Sequence, residues 1–190
     1  MQIKSEFKEQ YLKEIEMYNS YVRNIFMLYS YQIHISNFLN YPIRNDDNKI
    51  FLYAINMLLK DRIALDIWKI LIDNDKNSNT FQHLNNNVKN KYLIDKHDYK
   101  SIKIKISNEV RKKISNIRNH FLAHADSKSF SDELSMNELK PLIVNVISTF
   151  NNLLYDEAQK YTLTKQILEA QEKSAIIGVK PFHDVITGDN

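Results

Sequence analysis

The chain of 190 residues is long enough to bury a hydrophobic core, and its length fits one domain with or without a tail. Only 2 glycines and 3 prolines are present, which argues against a fold of many short strands joined by tight turns. The absence of cysteine excludes disulfides and thiolate metal sites, and the net charge is only +3.

A long amphipathic segment near the N-terminus predicts the first helix, over residues 5–40. Its apolar residues recur at three- and four-residue steps, the period of one helix face, and Asn40-Tyr41-Pro42 ends the pattern. We expect its tyrosines to pack in the core or in a dimer interface, with base stacking as the alternative. The recurring residues are Phe7, Tyr11, Ile15, Tyr18, Val22, Ile25 and Tyr29, and Tyr21 and Tyr31 also lie in this segment.

The sequence carries no pattern of a targeting or membrane segment. Residues 1–13 are charged and lack the apolar stretch of a signal peptide. Residues 24–43 have no formal charge, but they contain Asn24, Gln32, Asn37, Asn40 and Pro42, which a lipid-facing helix does not tolerate. We therefore expect a soluble protein with no membrane partner, and the lack of cysteine fits the cytoplasm.

A second helix is predicted from about Asp47 to Ile72, with Trp68 assigned to the core or an interface rather than to a ligand site. After a polar loop, Ser78 or Thr80 is the candidate N-cap of a shorter helix that ends near Leu93. Residues 102–106 alternate as a strand would, but without a partner strand they are predicted to be loop or early helix. The predicted apolar side of the second helix comprises Phe51, Ile55, Leu58, Leu59, Ile63, Ile67, Ile70 and Leu71.

Two further helices are predicted, over residues 107–124 and from the capping box Ser135-Met136-Asn137-Glu138 to about Lys160, with a break at 125–130. Pro141 indicates a kink or a later start. Residues 161–173 continue the last helix or form a separate turn, and residues 174–190, which hold both glycines, are predicted to be a tail. The inward residues are predicted to be Val110, Ile114, Ile117, Phe121 and Leu122, then Leu142, Val146, Phe150, Leu153 and Leu154.

Together these elements predict an all-α bundle of about five helices, two of them long, in one domain over residues 1–173. Positive charge is concentrated in one part of it. Residues 96–118 hold eight basic and two acidic residues, a net charge of +6, so the rest of the chain sums to −3. Such a stripe fits a polyanion partner, although a solvated helix face is the alternative.

One short motif at the end of this stripe carries the chemistry. Arg118 and Asn119 are followed by His124, within the stretch Ile117 to Asp126. Arginine is a permanent cation that can fork onto a phosphate, and histidine exchanges a proton near neutral pH. The pair suits metal-free cleavage of RNA, in which the ribose 2′-hydroxyl attacks the adjacent phosphate. On an ideal helix the two side chains lie about 120° apart, so a helix end, the long arginine or a symmetry mate must bring them together.

The motif resembles the arginine–polar–histidine signature of HEPN domains, and residues 117–126 are similar to abortive-infection HEPN proteins of the AbiU-like branch. The likeness extends over roughly residues 10–160, because the segment from Arg62 to Ile72, the polar loop and Ser78 to Phe81 resemble a helix–loop–helix of those proteins. It implies an all-α bundle that dimerises, with the two motifs near each other in a composite cleft.

The resemblance also implies an activity, that of a metal-independent endoribonuclease in toxin or phage-defence systems. Arg118 would neutralise the scissile phosphate, His124 would act as general acid or base, and Asn119 would orient the site. Arg111, Lys112 and Lys113 would extend the RNA-binding surface. No cofactor or metal is implied. The expected partners are RNA, a second copy of the chain, and an antitoxin or the product of a neighbouring gene.

Two residues beside the motif have open roles. His120, four residues before His124, assists catalysis or is a histidine packed in the core or in an interface. Asp126 stands where many HEPN toxins have tyrosine, so modification of that tyrosine by a partner nucleotidyltransferase is not expected. Asp126 orients His124 or caps the next turn.

Two other functions compete with the ribonuclease. The spacing of His120 and His124, with Asp126 as a third ligand, suits a metal-dependent hydrolase, but Phe121 replaces the glutamate of a metalloprotease helix. The same bundle can also be a HEPN-like module that binds RNA or protein without cutting.

Overall fold

The computed structural model describes residues 2–40, 46–73, 79–95, 97, 99, 102, 106–122 and 133–187, without the side chains of 121–122 and 181–187. Within these ranges the chain forms six α-helices and no extended strand, apart from one isolated bridge between Ile3 and Leu93. The all-α prediction is therefore confirmed, with one helix more than expected. In this part of the chain no helix is both long and apolar enough to cross a membrane.

Helix α1 (Lys8–Phe38) follows a short 3₁₀ turn and forms the centre of the bundle. Its predicted apolar stripe is buried from Tyr11 to Tyr29, and two of its tyrosines also bind backbone at long range. The Tyr11 hydroxyl donates to the Leu153 carbonyl at 2.8 Å and accepts from the Tyr155 amide at 2.7 Å. The Tyr18 hydroxyl donates to the Thr80 carbonyl at 2.8 Å. These tyrosines thus belong to the core, as predicted, with their polar ends satisfied.

Helix α2 (Asp46–Ile67) packs along α1 and ends in a π-helical turn (Trp68–Ile72). Its C-terminal apolar residues are buried as predicted, but Phe51 and Leu58 are 52% and 61% exposed, so their inward assignment is wrong. The reason is rotational: Leu52 and Asn56 face α1, and Phe51 and Leu58 lie roughly 100–160° away from them around the helix.

Helix α3 (Phe81–Asn87) is followed by a second π-helical turn (Val88–Tyr92). The Thr80 side chain accepts the His83 amide at 3.1 Å, so Thr80 is the N-cap. The alternative cap, Ser78, lies outside the described residues. Ile102 and Ile106 pack against the core outside any helix, and helix α4 spans Asn108–Leu122.

Helix α5 (Met136–Asn152) begins with the predicted capping box of Ser135 and Glu138. The alternative of a later start at Pro141 is wrong, because that cap starts the helix five residues earlier. The predicted end near Lys160 is also wrong. The three residues that follow the helix, 153–155, are all buried, whereas a single face of a continuing helix would not bury three consecutive residues. The backbone then adopts a left-handed conformation at Asp156 (φ 51°) and enters a 3₁₀ helix (Asp156–Tyr161).

Helix α6 (Lys165–Thr187) corrects the prediction of a C-terminal tail from residue 174. Ala175 and Val179 are buried, and Val179 packs with residues of α1 and α2. Gly178 lies against Tyr31, where an added Cβ would stand 3.3 Å from the ring. The glycine therefore permits close helix packing in place of a chain break.

Candidate functional site

Arg118 of the candidate motif lies at the edge of the core-facing side of α4. Ile114 and Ile117 are fully buried and Val110 is half-buried, which confirms the predicted inward face for these three positions. Phe121 and Leu122 have no described side chains. Arg118 directly follows the last of these anchors and is half-buried at the edge of the apolar stripe. The core therefore sets the position of the arginine along and around the helix.

The Arg118 guanidinium is held by two contacts. Its central carbon lies 4.6 Å from the centroid of the Trp68 ring, within the range of a cation–π interaction. Its Nη1 donates to the Asn119 side-chain oxygen at 2.9 Å. Its Nε is buried and has no hydrogen-bond partner among the described residues. Asn119 thus contacts the guanidinium directly.

No carboxylate of the described residues forms an ion pair with Arg118. A tryptophan face attracts the cation without cancelling its charge, whereas a carboxylate would form a bidentate pair and occupy the guanidinium fork. Among the described residues, no carboxylate therefore balances the Arg118 charge or occupies its N–H donors, which suits the binding of a phosphate.

His120 lies on the other flank of α4, about 160° from Arg118 around the helix, and is exposed. The packed-core alternative for this residue is therefore wrong. His120 interacts electrostatically with Asp61 of α2. Burial and the charge of Glu133 raise the pKa of Asp61, whereas His120 and Lys60 lower it, and the net shift is upward. Lys60 in turn forms an ion pair with Glu133. A mixed-charge cluster thus links α2 to this flank of α4.

The three basic residues at the start of α4 differ from one another. Lys113 donates to Glu138 at 2.6 Å and lies 3.6 Å from Glu109, and these carboxylates raise its pKa. Arg111 and Lys112 form no ion pair within the described part of the chain. Arg111 shares the flank of Arg118, seven residues away, so these two arginines form the continuous cationic edge of the helix.

The remaining residues of the predicted motif, His124 and Asp126, lie outside the described residues, as do four lysines of the basic stripe: Lys96, Lys100, Lys103 and Lys105. Of the His120, His124 and Asp126 set weighed as metal ligands, only His120 is described. The described residues contain no group of three or more histidine, aspartate and glutamate side chains that could hold a metal ion.

Two neighbours of the motif escaped the sequence reasoning. Trp68 packs partly against the core, as predicted, but its ring also makes the cation–π contact with the Arg118 guanidinium. Asp61 belongs to no sequence motif that would have marked it as a site residue. Its carboxylate comes near His120 only because α2 packs on α4. The one available signal for Trp68 was that a lone tryptophan stands in the first helix of the helix–loop–helix included in the resemblance.

The described residues thus combine a guanidinium that no described carboxylate pairs with, a second arginine on the same edge of α4, and a histidine–carboxylate cluster on the opposite flank. A guanidinium of this kind has the chemistry to bind an anion. No protein-family model, no curated protein and no solved structure matches this chain.

Proposed function

We propose that the protein is a metal-independent endoribonuclease of the HEPN type that acts as a toxin or as an abortive-infection effector in phage defence. The observation that carries the proposal is the environment of the Arg118 guanidinium. It lies on the Trp68 ring, donates a hydrogen bond to Asn119 and forms no ion pair with any described carboxylate. An oriented cation next to a histidine-bearing segment is what cleavage at a phosphodiester requires.

In the proposed reaction Arg118 binds the scissile phosphate and neutralises the charge that develops on its oxygens. A base removes the proton of the 2′-hydroxyl, the 2′-oxygen bonds to phosphorus, and the bond from phosphorus to the 5′-oxygen breaks. The leaving 5′-oxygen takes a proton from the acid. His124 is assigned one of these proton transfers, and His120 is its candidate assistant. The products carry a 2′,3′-cyclic phosphate and a free 5′-hydroxyl.

The proposal includes a homodimer, and α2 offers a surface for it. Five large apolar residues between Ile50 and Leu58 are more than two-fifths exposed, on one broad face of the helix. Large apolar side chains exposed together on one face of a helix are suited to an interaction site. Asp61 and Trp68 follow in the same angular sector, so a partner seated there would lie next to the candidate site. The exposed residues are Ile50, Phe51, Tyr53, Met57 and Leu58.

The decisive test is cleavage of single-stranded and transfer RNA by the purified protein in excess EDTA. Wild type should cut and leave cyclic-phosphate ends, whereas His124→Ala should lose about 100-fold or more of the rate, because proton transfer contributes about that much. His83→Ala is the matched control, since His83 is an exposed histidine on α3, outside the site. Equal cleavage by wild type and His124→Ala would remove the assignment of His124, and cleavage abolished by EDTA would indicate the metal-dependent hydrolase.

A second candidate function is a HEPN-like module that binds RNA or a partner protein, such as an antitoxin, without cutting. The exposed apolar face of α2 favours a protein partner, and the pairing of Lys113 with two glutamates reduces the cationic surface expected for RNA. Tight binding of RNA, or of a neighbouring gene product, without turnover would favour this function.

A further inference from the structure

The aromatic face beneath Arg118 belongs to the only tryptophan of the chain. Trp68 is the first residue of the π-helical turn that ends α2. A π-helical turn adds a residue to the helical repeat and so changes the direction in which the following side chains point; such turns are frequent at functional sites. The indole is half-buried and packed against the core, so its orientation is set by the interior of the bundle.

A free arginine side chain samples many rotamers, and a phosphate ligand of this kind must be ordered before it can act in a transition state. The Trp68 ring restricts the plane of the guanidinium, and the bond from Nη1 to Asn119 restricts its rotation within that plane. With Nε buried, the donors that remain for a phosphate are those of Nη2 and the second hydrogen of Nη1.

We infer that Trp68 is a positioning residue of the site, which orients the Arg118 guanidinium toward the scissile phosphate without touching the substrate. This inference rests on the proposed function for the identity of the anion. It predicts that Trp68 affects the binding of RNA only by orienting Arg118. A tryptophan that merely fills space in the core would have no such dependence.

The chain supplies a matched control at the next residue of the same turn. Lys69 Nζ lies over the Tyr21 ring at 4.6 Å, the same distance as Arg118 over Trp68, and also donates to the Tyr21 hydroxyl at 2.9 Å. Tyr21 is half-buried like Trp68. Tyr21→Leu therefore removes a comparable aromatic–cation pair and comparable packing, but at a place that does not involve Arg118.

The experiment is a double-mutant cycle on RNA binding. A single-stranded oligonucleotide with 2′-O-methyl riboses, which cannot be cleaved by 2′-hydroxyl attack, is titrated into wild type, Trp68→Leu, Arg118→Gln and the double variant. Trp68→Leu should weaken binding about 3- to 30-fold, which is the range of a cation–π contact. It should have no further effect in the Arg118→Gln background. Trp68→Phe should recover part of the loss, and Tyr21→Leu should bind as wild type.

Equal losses in both backgrounds, or a folded Trp68→Leu protein with wild-type affinity, would overturn the inference. If Trp68→Leu does not fold, the wild-type protein provides the test by NMR. The Arg118 Nε–H resonance, assigned by its loss in Arg118→Gln, should show an upfield ring-current shift and should move when the oligonucleotide binds. An unshifted resonance, or one indifferent to RNA, would overturn the inference.

Cleavage of unmodified RNA, measured in parallel, separates the two proposals. Binding that depends on Trp68 through Arg118, without cleavage by wild type, would overturn the ribonuclease and leave the positioning role standing. Cleavage that Trp68→Leu retains in full would overturn the positioning role alone. A wild-type protein that neither binds nor cleaves RNA would overturn both.

Discussion

Lys113, in the first half of α4, and Arg118, in its second half, have the same charge but different surroundings in the fold. At the start, Lys113 lies between Glu109 and Glu138, and its charge is neutralised within the protein. Near the end, the Arg118 guanidinium lies on the Trp68 ring and donates to the Asn119 side chain, and no carboxylate of the described residues pairs with it. A basic stripe is therefore not a uniform binding surface, because each cation takes its role from the groups that face it.

The largest expected effect concerns Arg118, which no carboxylate of the described residues pairs with. Arg118→Lys preserves the positive charge but loses the planar fork and its stacking on Trp68, so we expect cleavage of RNA to fall about 100-fold or more, as on loss of an oriented electrostatic contact. Arg23→Lys, the same change at an exposed position on α1, should cleave at the wild-type rate. An Arg118→Lys protein as active as wild type would mean that charge alone, without geometry, is what the site requires.

The next effect concerns the carboxylate that holds Lys113. Glu138 accepts from Lys113 and from the Ser135 amide at 2.8 Å, and these hydrogen bonds lower its pKa from the ordinary 4.5. Glu138→Ala should lower the free energy of unfolding by about 1 kcal/mol at pH 7, because the capping box is lost. Chemical denaturation at a series of pH values provides the measurement.

The sign of the pH dependence follows from that lowered pKa. The unfolded state binds the proton more readily than the folded state, so ionised Glu138 stabilises the fold above pH 4.5, and this contribution is lost as the pH falls through the lower, folded pKa. Glu138→Gln keeps an acceptor for the cap but does not titrate. Its stability difference from wild type should therefore shrink on acidification, and a difference that stays constant would contradict the role of the charge.

The smallest expected effect is on the salt dependence of RNA binding, and it is tested by comparing Arg111 with Lys113 in the first half of α4. Arg111 forms no ion pair among the described residues, whereas Lys113 has two, so only Arg111 is expected to release counterions on binding RNA. Arg111→Gln should reduce the slope of log affinity against log salt concentration by about 0.7, the value for one phosphate contact on a single strand. Lys113→Gln should leave the slope unchanged. Equal changes in both variants would mean that Lys113 leaves its glutamates to meet RNA.

Regular periodicity made much of this fold predictable. The tyrosine-rich stripe of α1, the inward isoleucines of α4, the Thr80 cap and the capping box at Ser135 all depend on residues within one or two helical turns, and the structure confirms each. Local spacing and capping chemistry decide such features, and the sequence carries that information directly.

The errors fall where a local pattern was compatible with two tertiary arrangements. Phe51 and Leu58 read as core residues because α2 is apolar on several sides, and only its packing on α1 decides which side is buried. Residues 174–190 were predicted to be a tail because they hold both glycines, and glycine lowers helix propensity. In the fold, the missing side chain of Gly178 instead lets α6 approach Tyr31.

By itself, the sequence determined the helical class of the protein and the position of the candidate motif, because both depend on the order and spacing of neighbouring residues. The tertiary structure decided that Arg118 meets Trp68, fifty positions earlier in the chain, and that Lys113 meets Glu138 on the next helix. These partners lie on separate helices, and no local periodicity encodes which helix faces which. The packing of α2 and α5 around α4 therefore distinguishes a cation that pairs with carboxylates from one that has no carboxylate partner among the described residues.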